Sequence, residues 1–502
     1  MNSRRDFLKK AALLAAGGGF VGALPASIQK AFAIDPPPSS TFLDAEHVVI
    51  LMQENRSFDH AFGKLRGVRG FNDPRAMTLP DGNPVWLQTN AAGETYPPFR
   101  LNLLDTKATW MGSLPHSRES QIAAFNHGKH DRWLQAKRSG EKEYRQLPLT
   151  LGFYNRDDLP FYYALADAFT ICDQNFCSTM TCTTPNRLYL WSGTIRAQPD
   201  ISAKANLNNE DADFDTEVNW ATFPERLEKQ GVSWRVYQNE IYLPTGFEGE
   251  EEPWLSNFGD NPLEYFSQFQ VHFSATRQKH LADTKKSLAA ELEKLTVQTP
   301  PPEKKIAEKK QQLAQIEKEL AVWSDEKFAE LSAWQKNLFE KAFTTNTGDP
   351  DYRKLTTTTY QDGASERQMQ IPKGDVLYQF RRDVRDGKLP TVSWIVPPER
   401  FSDHPSSPWY GAWYLSEVFD ILTQNPEVWR KTIFILCYDE NDGYFDHVPP
   451  FVPPHPGQPE TGKVSDGIDS SVEQVSPEQE EAYARRHRGM VSTPIGLGFR
   501  VP

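Results

Sequence analysis

The chain has 502 residues, 38% hydrophobic and 24% charged, and its 13 Trp, 17 Tyr and 30 Phe can bury a large core, which excludes a mainly disordered chain. A formal charge of −12 with no basic block argues against a nucleic-acid partner, and four cysteines (Cys172, Cys177, Cys182, Cys437) are too few for a disulfide framework. Past the N-terminus no apolar run reaches the roughly 18 residues of a membrane span, so the mature chain is not expected to cross a bilayer.

Residues 1–33 read as an export address. Ser3-Arg4-Arg5-Asp6-Phe7-Leu8-Lys9 is a twin-arginine pattern, a weakly apolar stretch runs from Ala11 to Leu24, and Ala31-Phe32-Ala33 fits an A-x-A cleavage site. The expected compartment is the periplasm or the medium, reached through the twin-arginine export machinery as a folded protein.

Short β-branched runs predict buried strands at His47–Met52, Ala168–Cys172, Ser233–Tyr237, Thr391–Val396 and Thr432–Tyr438. Helical patterns are expected over Ser117–Asn126, Pro185–Thr194, Asn219–Gln230, Asp375–Asp386 and Leu415–Thr423. Strands alternating with helices argue for an α/β fold with a sheet covered on both faces, where chemistry gathers at the C-terminal strand ends. Residues 275–343 differ in composition. Leu281, Leu288, Leu292 and Leu295 repeat at heptad-like spacing, as do Ile306, Leu313, Ile316 and Leu320 after Pro300-Pro301-Pro302, so a structural helical-hairpin insertion is expected. Residues 449–490 are rich in Pro, Glu and Ser and are expected to form a surface loop.

Three fragments carry chemistry. The first strand runs into Gln53-Glu54-Asn55-Arg56, placing a carboxylate and an amide oxygen at a strand end, hard donors of the kind that suit Mg²⁺, Ca²⁺ or Mn²⁺. The strand at Thr432–Tyr438 empties into Asp439-Glu440-Asn441-Asp442, where adjacent carboxylates repel unless a cation sits between them. In Thr183-Thr184-Pro185-Asn186-Arg187 the proline favours a first helical turn, which puts the Thr183 hydroxyl beside N–H groups that suit phosphate, with Arg187 about one turn on. Alone, each fragment also fits a structural role: a helix cap or a solvated acidic turn.

Together the segments at 47–71 (HVVILMQENRSFDHAFGKLRGVRGF), 183–194 (TTPNRLYLWSGT), 389–414 (LPTVSWIVPPERFSDHPSSPWYGAWY) and 437–450 (CYDENDGYFDHVPP) resemble one family closely. It is the bacterial phosphoesterase family of phosphatidylcholine-type phospholipases C and the related acid phosphatase, within the alkaline-phosphatase-like superfamily. The resemblance covers residues 44–502, and SWIVPPE with GDNPLEYF (259–266) looks more like the phosphocholine-preferring branch. It implies an alkaline-phosphatase-like sheet sandwiched by helices. It also implies one divalent metal ion held by Glu54, Asn55, Asp439 and Glu440, with Thr183 as the metal-activated nucleophile. His116, His404 and His447 would grip phosphoryl oxygens with Arg187; His127 and His130 receive no role.

The implied activity is hydrolysis of phosphatidylcholine- or sphingomyelin-type lipids to diacylglycerol or ceramide plus phosphocholine, through a phospho-threonine, during transient contact with a membrane or micelle surface. Trp409, Tyr410, Trp413 and Tyr414 are candidates for an aromatic cage around the choline cation. Family members continue beyond the point where this sequence stops, so the C-terminal part of the family fold is expected to be absent. Two other readings compete: an acid phosphatase acting on monoesters, and an inactive lipid-binding remnant.

Overall fold

The computed structural model describes residues 24–103, 105–106, 112–404, 408–486 and 494–502. The twin-arginine pattern lies outside the described residues. In chain order the elements that position the site are α1 (Ala26–Ala33), β1 (His47–Gln53), α2 (Arg118–Phe125), α3 (Pro160–Ala168), α4 (Thr183–Ser192) and α5 (Phe223–Lys229). There follow β2 (Trp234–Gln238), α6 (Ala275–Thr296), α7 (Glu303–Val322), α8 (Ala333–Ala342), the hairpin β3 (Leu355–Asp362) and β4 (Ser365–Pro372), and α9 (Tyr378–Arg385). The last are β5 (Val392–Val396), α10 (Pro408–Gln424), β6 (Thr432–Tyr438) and α11 (Pro477–Arg486).

Four strands form a parallel sheet in the order β6-β1-β5-β2. Side chains alternate across it. Val49, Leu51 and Ile395 pack on one face against Phe380, Val384, Tyr414, Leu415, Val418 and Leu422 of α9 and α10. Trp234, Val236 and Trp394 pack on the other against Leu188 and Trp191 of α4, Leu227 of α5 and Leu338 of α8. The fold is therefore α/β, a parallel sheet covered by helices on both faces. The register pairs Gln53 with Tyr438, so the residues following them, Glu54 and Asp439, leave the sheet side by side. Because the strands are parallel, the segments after β1, β2, β5 and β6 all emerge at one edge.

The expected strand at Ala168–Cys172 does not form. Ala168 is the last residue of α3, and 169–172 are irregular. The helical apolar face of Tyr162, Tyr163 and Ala166 outlasts the short β-branched run, and Phe169 is taken up by Phe32, Phe419 and Trp429. α1, which carries the A-x-A motif, is docked: Ile28 and Ala31 are buried, Ser27 Oγ meets Ser416 Oγ at 2.9 Å, and Trp429 Nε1 donates to the Ala31 carbonyl at 3.0 Å. The four cysteines are free thiols.

The helical hairpin is present as α6 and α7, with Leu281, Leu288 and Leu292 buried between the two. Arg277 grips Glu319 at its base (2.9 Å) and donates to the Pro244 carbonyl (2.8 Å). The insertion is shorter than the composition suggests, because α8 returns to the core with Leu338 and Ala342 fully buried. Replacing residues 281–316 by a short linker, with the Arg277–Glu319 base kept, should leave a folded protein with phosphodiester turnover within about threefold of the parent. A thermal melt with a turnover assay checks this, and loss of turnover in a folded variant would give the hairpin a role in the site. Within 449–490, α11 forms and Tyr483 donates to Asn208 Oδ1 at 2.9 Å, so among the described residues the surface loop is confined to the segment before that helix.

Candidate active site

At the C-terminal edge of the sheet, Glu54, Asn55, Asp439 and Glu440 are all buried. The backbone brings them together. Asp439 N donates to the Gln53 carbonyl at 3.1 Å, Arg56 N donates to the Glu440 carbonyl at 3.0 Å, and Asn55 N donates to Asp439 Oδ1 at 3.3 Å. Asn55 has φ +55°, a left-handed conformation that asparagine tolerates better than most residues and that turns the chain sharply at the strand end.

The helix α4 reaches this cluster through Arg187, and Cys182, just before the helix, lies within electrostatic reach of Glu440. Thr183 is its first residue, after the extended Cys182, and is partly exposed. Its hydroxyl makes no hydrogen bond among the described residues. Asn186 fixes the turn, donating to the carbonyls of Thr181 and Cys182 while accepting from Thr179 N. Arg187 reaches the carboxylates: Nε lies 3.0 Å from Asp439 Oδ2, and Nη2 lies 3.1 Å from Asp260 Oδ2 and 3.7 Å from Glu54 Oε1. Burial opposes the charge on Arg187, yet these three carboxylates hold its guanidinium above its ordinary value. The Cys182 thiol, beside Thr183, is pushed up to about 12 by burial, with Glu440 adding to the effect.

Two histidines border the cluster. His116 Nδ1 sits 2.7 Å from the Leu114 carbonyl and 2.9 Å from Asp442 Oδ1; burial works against its charge, but Glu440 and Asp442 push it up to about 10. His404 Nε2 lies 4.0 Å from Glu54 Oε2 and its Nδ1 3.6 Å from Glu399 Oε1. Beneath His116 the buried Lys137 donates to the Pro115 carbonyl and to Gln121 Oε1, both at 2.8 Å; Gln121 in turn donates to Asn441 Oδ1 at 2.7 Å.

His447 is placed elsewhere. Its Nδ1 is 2.6 Å from Asp59 Oδ2 and its Nε2 3.3 Å from Asp73 Oδ2, so both ring nitrogens are engaged by carboxylates. Arg500 completes that cluster, 2.9 Å from Asp59 and 3.0 Å from Asp446. A grip on phosphoryl oxygens by His447 requires those bonds to break, and its position reads as a structural tie.

The chemistry of the donor set fits a cation. Both carboxylate oxygens of Glu54, Oδ1 and Nδ2 of Asn55, Oε1 of Glu440 and Oδ1 of Asp260 are buried without a hydrogen-bond partner, while Asp260 Oδ2 is held by the ion pair with Arg187. Such groups are costly unless something satisfies them. Burial and the facing carboxylates of Asp260 and Asp439 push Glu54 well above the ordinary carboxylate value, and burial pushes Glu440 up to about 8. Asp439 differs from the other expected ligands. Its Oδ2 already holds Arg187, and its Oδ1 accepts from Asn55 N and Glu440 N. Of the Asp59–Asp446–His447 and His116–Glu440–Asp442 groups, which could also hold an ion, the first already contains the Arg500 guanidinium and the second shares Glu440 with this site.

Asp260 carried a weaker signal: it lies far past the end of β2 at Gln238, where a strand-end rule does not reach, but within the GDNPLEYF segment (259–266) that resembles the family. Phe258 carried no such signal. It has φ +61°, unusual for a bulky residue, and its ring lies 4.9 Å from that of His404 in an edge-on arrangement. The four aromatics of 409–414 do not share one face: Tyr414 is wholly buried, whereas Trp409 and Trp413 are exposed. They do not form a cage.

Residues 45–299 and 312–502 match the model of the Phosphoesterase family. A "Non-hemolytic phospholipase C" of Burkholderia pseudomallei is 35% identical over 90% of this chain and 52% of its own length. A "Hemolytic phospholipase C" of Pseudomonas aeruginosa is 33% identical over 99% of this chain and 54% of its own length. A "Phospholipase C B" of Mycobacterium tuberculosis is 31% identical over the whole chain and 75% of its own length. The chain thus spans about half the length of the Burkholderia and Pseudomonas relatives and three quarters of the mycobacterial one. The strand-end carboxylates, the asparagine and the threonine at the start of α4 all lie in the matched segments, and the chain belongs to the Phosphoesterase family, with bacterial phospholipases C among its relatives.

Proposed function

We propose that this protein is an exported, metal-dependent phosphodiesterase with an alkaline-phosphatase-like architecture. It cleaves choline phospholipids of the phosphatidylcholine or sphingomyelin type to diacylglycerol or ceramide and phosphocholine. The observation that carries the reading is the set of unpartnered buried oxygens on Glu54, Asn55 and Glu440, beside a helix that starts at an unbonded threonine hydroxyl.

Thr183 Oγ1 attacks phosphorus as the phosphorus–oxygen bond to the lipid breaks, and the hydroxyl proton ends on the departing alcohol oxygen. Water then attacks phosphorus, the bond to Thr183 Oγ1 breaks, one water proton returns to that oxygen, and phosphocholine leaves. The N–H groups at the start of α4, with Arg187 and His116, oppose the charge that builds on the phosphoryl oxygens. Glu54, Asn55, Asp439 and Glu440 would hold one divalent ion of the Ca, Mg or Mn class, which would activate the hydroxyl and neutralise phosphoryl charge.

Head-group recognition falls to Phe258 beside His404, with Tyr242 behind it at 6.4 Å between ring centroids. The Tyr242 phenol is pushed up by burial and by Glu252, Glu264, Glu399 and Asp260, an aromatic and acidic setting that suits a quaternary ammonium. Phe258→Ala should lower kcat/KM on p-nitrophenylphosphorylcholine about tenfold relative to bis(p-nitrophenyl) phosphate, with Phe258→Tyr close to the parent. A parallel loss on both substrates would remove Phe258 from head-group recognition.

The export reading rests on the N-terminal motifs; N-terminal sequencing of protein recovered from the periplasm or medium tests it. For the activity, purified protein should turn over p-nitrophenylphosphorylcholine, lose that turnover to a chelator and regain it with divalent ions. Faster turnover of p-nitrophenyl phosphate would establish the monoesterase reading instead.

A further inference from the structure

On the side of the sheet edge that carries His404, α10 presents Trp409 and Trp413, 37% and 49% exposed. They are four residues apart and lie on one helix face. Neither is loose. Trp409 Nε1 donates to the Asp158 carbonyl at 3.0 Å, and the Trp413 ring packs on Phe401 with centroids 5.3 Å apart. Tyr410, between them, packs on Trp254 at 5.3 Å and directs its hydroxyl at Met369 Sδ in β4 at 3.8 Å. The neighbouring hairpin strand β3 adds Tyr360, 42% exposed and close enough to perturb the Tyr410 phenol.

We propose that Trp409, Trp413 and Tyr360 form the surface by which this protein docks on a zwitterionic phospholipid bilayer. Indole and phenol rings, each with an apolar body and a polar tip, favour the headgroup region of a membrane. Pre-anchored rings enter it with little loss of side-chain freedom. The rim adjoins the loop that carries His404, since Phe401, against which Trp413 packs, lies three residues before that histidine. Charge selects the kind of bilayer. The chain carries −12, and the cations flanking the rim are spoken for: Arg400 by Glu250 at 3.1 Å, Arg367 by Asp362 at 2.6 Å and Arg156 by Asp167 at 2.7 Å. With these described cations paired and the chain net negative, zwitterionic lipid is favoured over anionic lipid, whose surface draws free Lys and Arg. The choice of a phospholipid surface as occupant rests on the function proposed above, but the binding measurement does not.

The test is co-sedimentation of the full chain with sucrose-loaded phosphatidylcholine vesicles, with turnover of p-nitrophenylphosphorylcholine measured in parallel. The paired variant Trp409→Ala/Trp413→Ala should lower the vesicle partition coefficient about tenfold or more, and Trp409→Phe/Trp413→Phe should restore most of it. In the parent, brominated phosphatidylcholine should quench part of the tryptophan emission, a reading that stands even if the alanine pair fails to fold. Equal partition of parent and a folded alanine pair, absence of quenching, or tighter binding to phosphatidylglycerol than to phosphatidylcholine vesicles would each overturn the proposal. So would a parent dimer that the alanine pair converts to monomer without change in vesicle binding, because the rim would then be a self-association face. A parent that binds vesicles through the rim but turns over no phosphodiester would instead overturn the function proposed above.

Discussion

Thr183→Ala should lower phosphodiester turnover by at least about 10⁴-fold while leaving the fold intact. The threonine is partly exposed and its hydroxyl bonds to nothing among the described residues, so its loss strands no buried partner. Alanine is also a good residue in a helix, and the stability change should stay within about 0.5 kcal/mol. Thr183→Ser keeps the oxygen and drops a methyl, and should stay within about 10²-fold of the parent. Chemistry beyond the rate is required as well. Acid quench during turnover of a phosphate-labelled substrate should trap label on Thr183. If Thr183→Ala keeps a near-normal rate and no label appears on the residue, water attacks phosphorus directly and the covalent route is excluded.

Much of this site was legible because parallel strands deliver their ends to one edge. The apolar runs at His47–Met52 and Thr432–Tyr438 marked two such ends, and the register that pairs Gln53 with Tyr438 turns two distant acidic segments into neighbours. Arg187 was legible by helical spacing alone, one turn after Thr183. What escaped depends on three-dimensional packing. Nothing local distinguishes His447, tied to Asp59 and Asp73, from His404, which faces Glu54; both follow an aspartate in a loop after a strand. Gln121 supports the acidic loop through a bond to Asn441, 320 residues away, and Lys137 in turn holds Gln121. The left-handed Phe258 follows from the neighbours that hold it, since Asn257 is fixed by Gln238 and Glu264 and accepts from Gly259 N. The strand expected at Ala168–Cys172 failed because a short β-branched run carries little weight against a helix already stabilised by buried aromatics.

The second large effect concerns the carboxylates themselves. In the chelated protein, stability should fall as the pH rises from about 5 to about 7, and a saturating divalent ion should flatten or reverse that slope. Burial and facing carboxylates raise Glu54 well above its ordinary value, and burial raises Asp260 to about 6 and Glu440 to about 8. A carboxyl raised in this way keeps its proton in the folded chain at a pH where the unfolded chain, near 4.3 for glutamate, has lost it. Its contribution to stability is therefore complete below about pH 4 and drains away as the pH climbs through the folded value. Groups that burial holds neutral pull the other way: His60 and His130 within this window, since unfolded imidazoles charge near pH 6.5, and Lys137, lowered to about 7, above it, so the carboxylates are read from the difference between the parent and Glu440→Gln. A bound cation replaces the protons: at 100-fold over Kd it adds about 2.7 kcal/mol. Glu440→Gln separates stability from function. The amide imitates the protonated acid, so the chelated variant should melt at or above the parent at pH 7, with a weaker response to cation and turnover down by about 10³-fold or more. Thermal melts with and without chelator across pH 5–7, beside a turnover assay, give all three readings. A chelated parent whose melting temperature rises with pH relative to that of Glu440→Gln across that window, or a Glu440→Gln variant that responds to cation as the parent does, would show that these carboxylates do not form the cation site.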